Sequence, residues 1–209
     1  MTDFHHFLLF LGAAMVLAIA PGPGIFYVLA RTLGGGRRQG IESALGTFFG
    51  GLFHVFAAAL GVSAILAASA VAFHTVKYAG AAYLVWLGIR MIHTRNAEIP
   101  AEAAAPAQGS FRQGILTEAL NPKTALFFLA FLPQFVDPSR GAVAFQIAFL
   151  GLLFTLMGLT SDGLYALVAG TAGRWVKRKG HYLRWERYVT GGVFIGLGVT
   201  AAFAGKGRE

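Results

Sequence analysis

The chain has 209 residues, 56% of them hydrophobic and 12% charged. That charged share is about half the ~25% of soluble domains, so a soluble globular fold is a poor fit and a single integral membrane domain, residues 1–209, is expected. The absence of cysteine excludes disulfides, thiolate catalysis and Cys-ligated metal, and the net charge of +8 sits mainly between apolar runs, where it fits a positive-inside orientation and anionic membrane lipids rather than nucleic acid.

The first apolar run covers residues 7–33. It follows Asp3, His5 and His6 and lacks the Lys/Arg region of a signal peptide, so it reads as a retained membrane helix. Ala20-Pro21-Gly22-Pro23-Gly24 interrupts it. A proline cannot donate a backbone bond and clashes with the carbonyl four residues back, which frees the carbonyls of Leu17 and Ile19. Gly34-Gly35-Gly36 then reads as a turn.

The second run, 43–68, carries Gly46 and Gly50, a spacing that lets helices approach closely in lipid. The third covers 76–92, and a polar, Ala/Pro-containing linker occupies 93–110. The fourth, 111–136, is interrupted at Asn121-Pro122-Lys123, which frees the carbonyl of Glu118. The fifth covers 142–176 and the sixth 188–204. Between these two, the basic stretch Lys177-Arg178-Lys179 is flanked by Trp175, Tyr182 and Trp185, residues suited to a membrane interface.

With six spans, the first, third and fifth connections hold twelve basic residues and the opposite side four. Both termini then lie outside the cytoplasm. If the first run were re-entrant, five spans would remain and the N-terminus would move inside.

The two halves correspond. Lys77-Tyr78, Ala81-Ala82 and Leu87-Gly88 match Arg187-Tyr188, Gly191-Gly192 and Leu197-Gly198 at an offset of 110. Gly50 and His54 match Gly158 and Asp162 at 108, and Pro21-Gly22-Pro23 matches Asn121-Pro122-Lys123 at 100. The predicted fold is therefore an all-α membrane protein of six transmembrane helices. It forms two inverted three-helix repeats, about 4–92 and about 111–205, with helices 1 and 4 broken by proline. Broken helices at corresponding positions of two inverted halves point to a transport site at the membrane midplane.

The two breaks supply the expected substrate-binding set: Pro21, Gly22, Pro23 and Gly24 in the first, Asn121, Pro122 and Lys123 in the second, with Asp162 from the fifth run. Glycine-exposed amides suit a carboxylate, and freed carbonyls suit an ammonium. Lys123 lies within a span, where a charge costs at least ~2.5–3.5 kcal/mol. It either meets a substrate carboxylate or pairs with Glu118 or Asp162. Asp162, His54 and Glu118 are the candidate proton carriers. His54 also reads as a packing residue, and Glu118 as a solvated or capping acid near the cytoplasmic surface. The histidines form no metal-ligand spacing.

These segments resemble the LysE/RhtB family of bacterial amino-acid exporters. The resemblance rests on Ala20-Pro21-Gly22-Pro23, on Gly46 with Gly50, and on Tyr78-Ala79-Gly80-Ala81-Ala82-Tyr83-Leu84-Val85-Trp86-Leu87-Gly88. It continues with Asn121-Pro122-Lys123 and Leu132-Pro133-Gln134-Phe135, and runs over nearly the whole chain. It implies efflux of amino acids or close derivatives from the cytoplasm across the bacterial inner membrane by proton antiport. The RhtB branch, with homoserine, homoserine lactone, threonine and other neutral amino acids, is the nearer one. The family implies no organic cofactor, and it leaves homo-oligomerisation open. Two rival readings are a cation or metal exporter using His54, Asp162 and Glu118 as ligands, and a membrane-embedded enzyme.

Overall fold

In a computed structural model, the structure describes residues 4–93 and 109–176, together with positions 188, 191, 192, 195, 196, 198, 199 and 202 of the last apolar run. Among these residues every regular element is helical. Residues 94–108 of the linker, the basic connection at 177–187, and Lys206 and Arg208 lie outside the described residues.

Helix α1 covers Phe4–Ile19 and α2 covers Pro23–Ala68. Pro21 and Gly22 between them are not helical, and Pro23 opens α2 at a position where a missing N–H has no consequence. The turn expected at Gly34–Gly36 is a kink rather than a loop. Gly36 alone leaves helical geometry, at φ 79°, a left-handed conformation that glycine adopts without steric cost. One element thus carries the end of the first apolar run and all of the second. Helix α3 covers Ala70–His93.

Helix α4, Ser110–Ala119, is followed by α5, Pro122–Leu126, which continues through a π-helical turn at Phe127–Phe131 and a 3-10 turn at Leu132–Phe135. The axis bends by 41° at this break. Helix α6 covers Val143–Val176.

Large apolar side chains face outward as well as inward. Phe53, Phe56, Leu60, Leu164 and Val168 are all exposed, which suits a lipid surround better than water. Two described stretches, Pro23–Ala64 and Val143–Thr171, are long and apolar enough to cross a membrane, or three if the bent α4–α5 pair forms one span.

The core is built of rings around the π-helical turn. Phe127 stacks on Phe154 at 4.0 Å between centroids and tilts against Phe10 at 6.4 Å. Elsewhere small residues set the helix spacing. A Cβ on Gly46 would lie 3.0 Å from the Cα of Gly114, and one on Gly50 would lie 2.5 Å from the carbonyl oxygen of Ile115. Helices α2 and α4 therefore touch backbone to backbone. The last run meets α3 in the same way: a Cβ on Gly88 would lie 2.5 Å from the oxygen of Gly191, and one on Gly198 would lie 2.6 Å from that of Ala81.

A polar cavity between two helix breaks

The second break is held by its own side chains. Asn121 caps α5: its Oδ1 accepts from the backbone N–H of Lys123 at 3.0 Å, and its Nδ2 donates to Glu118 Oε2 at 2.9 Å. The other carboxylate oxygen of Glu118 accepts from Thr124 Oγ1 at 2.5 Å. Glu118 is thus half-buried and turned into the break, not a solvated acid at the surface. Helix α4 stops at Ala119, so the chain bends there and carries Asn121 and Thr124 over the carboxylate. Asn121→Ala should remove the cap and one partner of Glu118 together. Loss of an N-cap costs about 0.5–2 kcal/mol, and a lowered thermal midpoint in detergent would measure it.

Two of the three carbonyls expected to be freed are met by another helix. The oxygen of Glu118 accepts from His54 Nε2 at 2.9 Å, and that of Ile19 accepts from Tyr165 Oη at 3.0 Å. A carbonyl only accepts, so His54 carries its hydrogen on Nε2. His54 is buried with its ring stacked on Phe128 at 5.9 Å. This geometry suits the packing role, one of its two readings.

The first break is met from the second. Lys123 is 6% exposed, and its Nζ donates to the carbonyl oxygen of Ala20 at 2.7 Å. The ion pair with Glu118 or Asp162, one of the two readings of Lys123, does not close; the pairs that do, among the described residues, include Arg38–Glu42 and Arg140–Asp137. Gly22 makes room for the lysine stem: a Cβ there would lie 3.0 Å from Lys123 Cδ.

Asp162 comes from α6 and is buried, with its Oδ2 accepting from Thr47 Oγ1 of α2 at 2.7 Å. Together these residues border a cavity of about 50 Å³. Gly24, Thr47, Glu118, Asn121, Lys123 and Asp162 line it, along with Thr124 and Thr155. Pro21, Pro23 and Pro122 shape the breaks without lining it, and His54 stands behind the Glu118 carbonyl. The volume suits a few waters and is far below the ~300 Å³ at which ligand pockets begin.

Sequence reasoning did not single out Thr47, Thr124, Thr155 or Tyr165. Hydroxyl side chains are common in apolar helices and usually bond back to their own turn. One signal was present: Thr47 and Thr155 stand at the same offset of 108 that relates His54 to Asp162.

Arg31, one of the twelve basic residues counted with the first, third and fifth connections, is buried in α2 with its guanidinium 5.4 Å from the Tyr27 ring centroid and a hydrogen bond to Gln113. His54, Asp162 and Glu118 do not gather as metal ligands. No group of three His, Cys, Asp or Glu suited to a metal occurs among the described residues.

A small polar cavity at two helix interruptions, inside a helical bundle with an apolar exterior, fits a membrane translocator. Residues 15–205 match the LysE type translocator family, and the chain belongs to that family. It is 32% identical to an uncharacterized membrane protein of Vibrio cholerae, across 97% of this chain and 98% of that one. It is 31% identical to an uncharacterized membrane protein of Pseudomonas aeruginosa, across 97% and 96%. It is also 28% identical to the leucine efflux protein of Klebsiella pneumoniae, across 94% of each chain. No solved structure matches it. A family of translocators sets aside the membrane-enzyme reading.

Proposed function

We propose that this protein is a secondary transporter that exports neutral amino acids from the cytoplasm across the bacterial inner membrane. The observation that carries this reading is the meeting of two helix breaks, one lysine and two carboxylates in a single cavity. A zwitterion presents groups complementary to both charges. The amides at Gly22 and Gly24, between and after Pro21 and Pro23, and the Lys123 ammonium suit its carboxylate. Asp162 and the Ala20 carbonyl, which now accepts from an ammonium, suit its ammonium. Asn121 and Pro122 hold the second break in shape. The leucine efflux proteins among the relatives support a neutral aliphatic substrate, while homoserine, homoserine lactone and threonine are the alternatives that the RhtB branch supplies.

Proton antiport is part of the proposal. With Lys123, Glu118 and Asp162 all ionised, the cavity carries one uncompensated negative charge, and one proton neutralises it. Asp162 is the favoured carrier, with Glu118 and His54 as alternatives. Buried charges left unbalanced are costly in a membrane interior, so loading and release of that proton can be tied to the direction in which the cavity opens.

The proposed architecture is six spans in two inverted repeats, with both termini periplasmic. The contact between α3 and the last run supports it. Gly88 meets Gly191, and Ala81 meets Gly198; at the offset of 110, Gly191 is the counterpart of Ala81 and Gly198 that of Gly88. Two residues that each contact the counterpart of the other form the self-complementary pattern of a two-fold axis.

Counterflow in proteoliposomes with labelled leucine, threonine and homoserine tests the reading. Uptake of at least one is expected, and it should rise with a pH gradient and fall with an uncoupler. No uptake of any amino acid would reject export, and uptake indifferent to the gradient would reject antiport alone. Because the chain has no cysteine, single cysteines at each terminus can be labelled with an impermeant reagent. Labelling of both from the periplasmic side is the expected topology.

A further inference from the structure

Lys123 spans the gap between the two breaks. Its backbone sits in the second, its stem passes the space left by Gly22, and its ammonium bonds the Ala20 carbonyl of the first at 2.7 Å. Two carboxylates line the same cavity, and the ammonium closes an ion pair with neither. A buried lysine would be expected to seek a carboxylate before a carbonyl. The carbonyl belongs to the residue where the first helix is interrupted, and the cavity is too small to hold both the lysine head and a substrate.

We propose that the Lys123 ammonium occupies the place of the substrate's own ammonium, and that this substitution makes the site selective for molecules carrying an ammonium and a carboxylate together. The inference rests on the export reading and specifies how its substrates are chosen. A carboxylate attracts Lys123 away from Ala20, which leaves that carbonyl unsatisfied. An ammonium on the same molecule then takes the vacated position. A simple amine fails because the place is held by a like charge. A simple acid fails because it removes Lys123 and supplies no donor to the carbonyl, and an unmet buried carbonyl is strongly disfavoured. Only a molecule with both groups completes the exchange, so of the proposed substrates homoserine lactone, an ammonium without a carboxylate, is excluded.

The test is counterflow of labelled leucine in the presence of excess valine, 3-methylbutylamine or 4-methylpentanoate. In the unaltered protein valine should inhibit, and the single-ended analogues should not. Lys123→Met should lower leucine transport by roughly tenfold or more, and the amine should now inhibit because its place is vacant. Lys123→Cys should be inactive until treated with aminoethyl methanethiosulfonate, which rebuilds an ammonium of similar length; the methyl reagent should not restore it. If the Lys123 variants do not fold, Gly22→Ala crowds the lysine stem and should likewise admit the amine. Inhibition of the unaltered protein by the amine as strong as by valine would overturn the proposal, as would rescue by the neutral methyl reagent. In both cases leucine is still carried, so export survives. Absence of any amino-acid transport in the unaltered protein would reject export and this inference with it.

Discussion

Asp162→Asn should abolish export while leaving the protein folded. The substitution keeps the size of the side chain and an oxygen that can accept from Thr47, whose hydroxyl lies 2.7 Å from the present carboxylate. The charge is removed, and one acceptor oxygen becomes a donor NH2. On the proposed reading Asp162 binds the substrate ammonium and carries the coupling proton, and both roles need that charge; losing one partner of a buried charge interaction costs about 2–5 kcal/mol. At about 1.4 kcal/mol per tenfold, transport should fall by roughly thirtyfold or more. Stability should change little or rise, since a buried carboxylate is itself costly. Counterflow rate and the thermal midpoint in detergent, measured on the same preparation, separate the two effects. Transport within about twofold of the unaltered protein, far short of the loss expected from a charge partner, would remove Asp162 from the mechanism. A parallel loss of folded protein would make it a structural residue.

Gly50→Ala should have the opposite signature, with stability lost first. Its new methyl would stand 2.5 Å from the carbonyl oxygen of Ile115, 2.8 Å from Glu118 Cβ and 3.1 Å from the backbone nitrogen of Ala119. Two of these three neighbours are backbone, so no rotamer change relieves the clash. Overpacking of this kind costs about 1–3 kcal/mol, which corresponds to a fall of several degrees in thermal midpoint at roughly 2–4 °C per kcal/mol. Because the same methyl presses on Glu118, any protein that does fold should transport poorly. Gly61→Ala is the matched control. Nothing lies within 4 Å of its new methyl, and alanine favours a helix over glycine by about 1 kcal/mol, so its midpoint should hold or rise. Equal midpoints for the two variants would contradict the packing described for α2 and α4.

Much of this site was legible because proline and buried charge are rare in apolar segments. Pro21, Pro23 and Pro122 marked where helices stop, and Lys123 and Asp162 marked an interior that could not be purely apolar. What stayed hidden was pairing across the bundle. Opposite charges attract, so Glu118 and Asp162 were the natural partners for Lys123, whereas the lysine reaches a carbonyl at the other break. Nor could sequence place Glu118 inside, because that depends on the chain bending at Ala119 and returning Thr124 to the carboxylate. The kink in α2 has a local cause. Three consecutive glycines read as a turn, but only Gly36 takes a left-handed φ, and helical bonding resumes on either side.

The glycine contact between α2 and α4 also bears on how the cavity can be entered. It brings two helix backbones into direct contact, so neither helix can move closer to the other along that boundary. Open space lies elsewhere. Between α1 and α6 runs an apolar groove of about 390 Å³, bordered by Met15, Ile19, Met157 and Leu164, with the Tyr165–Ile19 hydrogen bond crossing it. There space is left between the two helices, and a tyrosine of one is bonded to the end of the other.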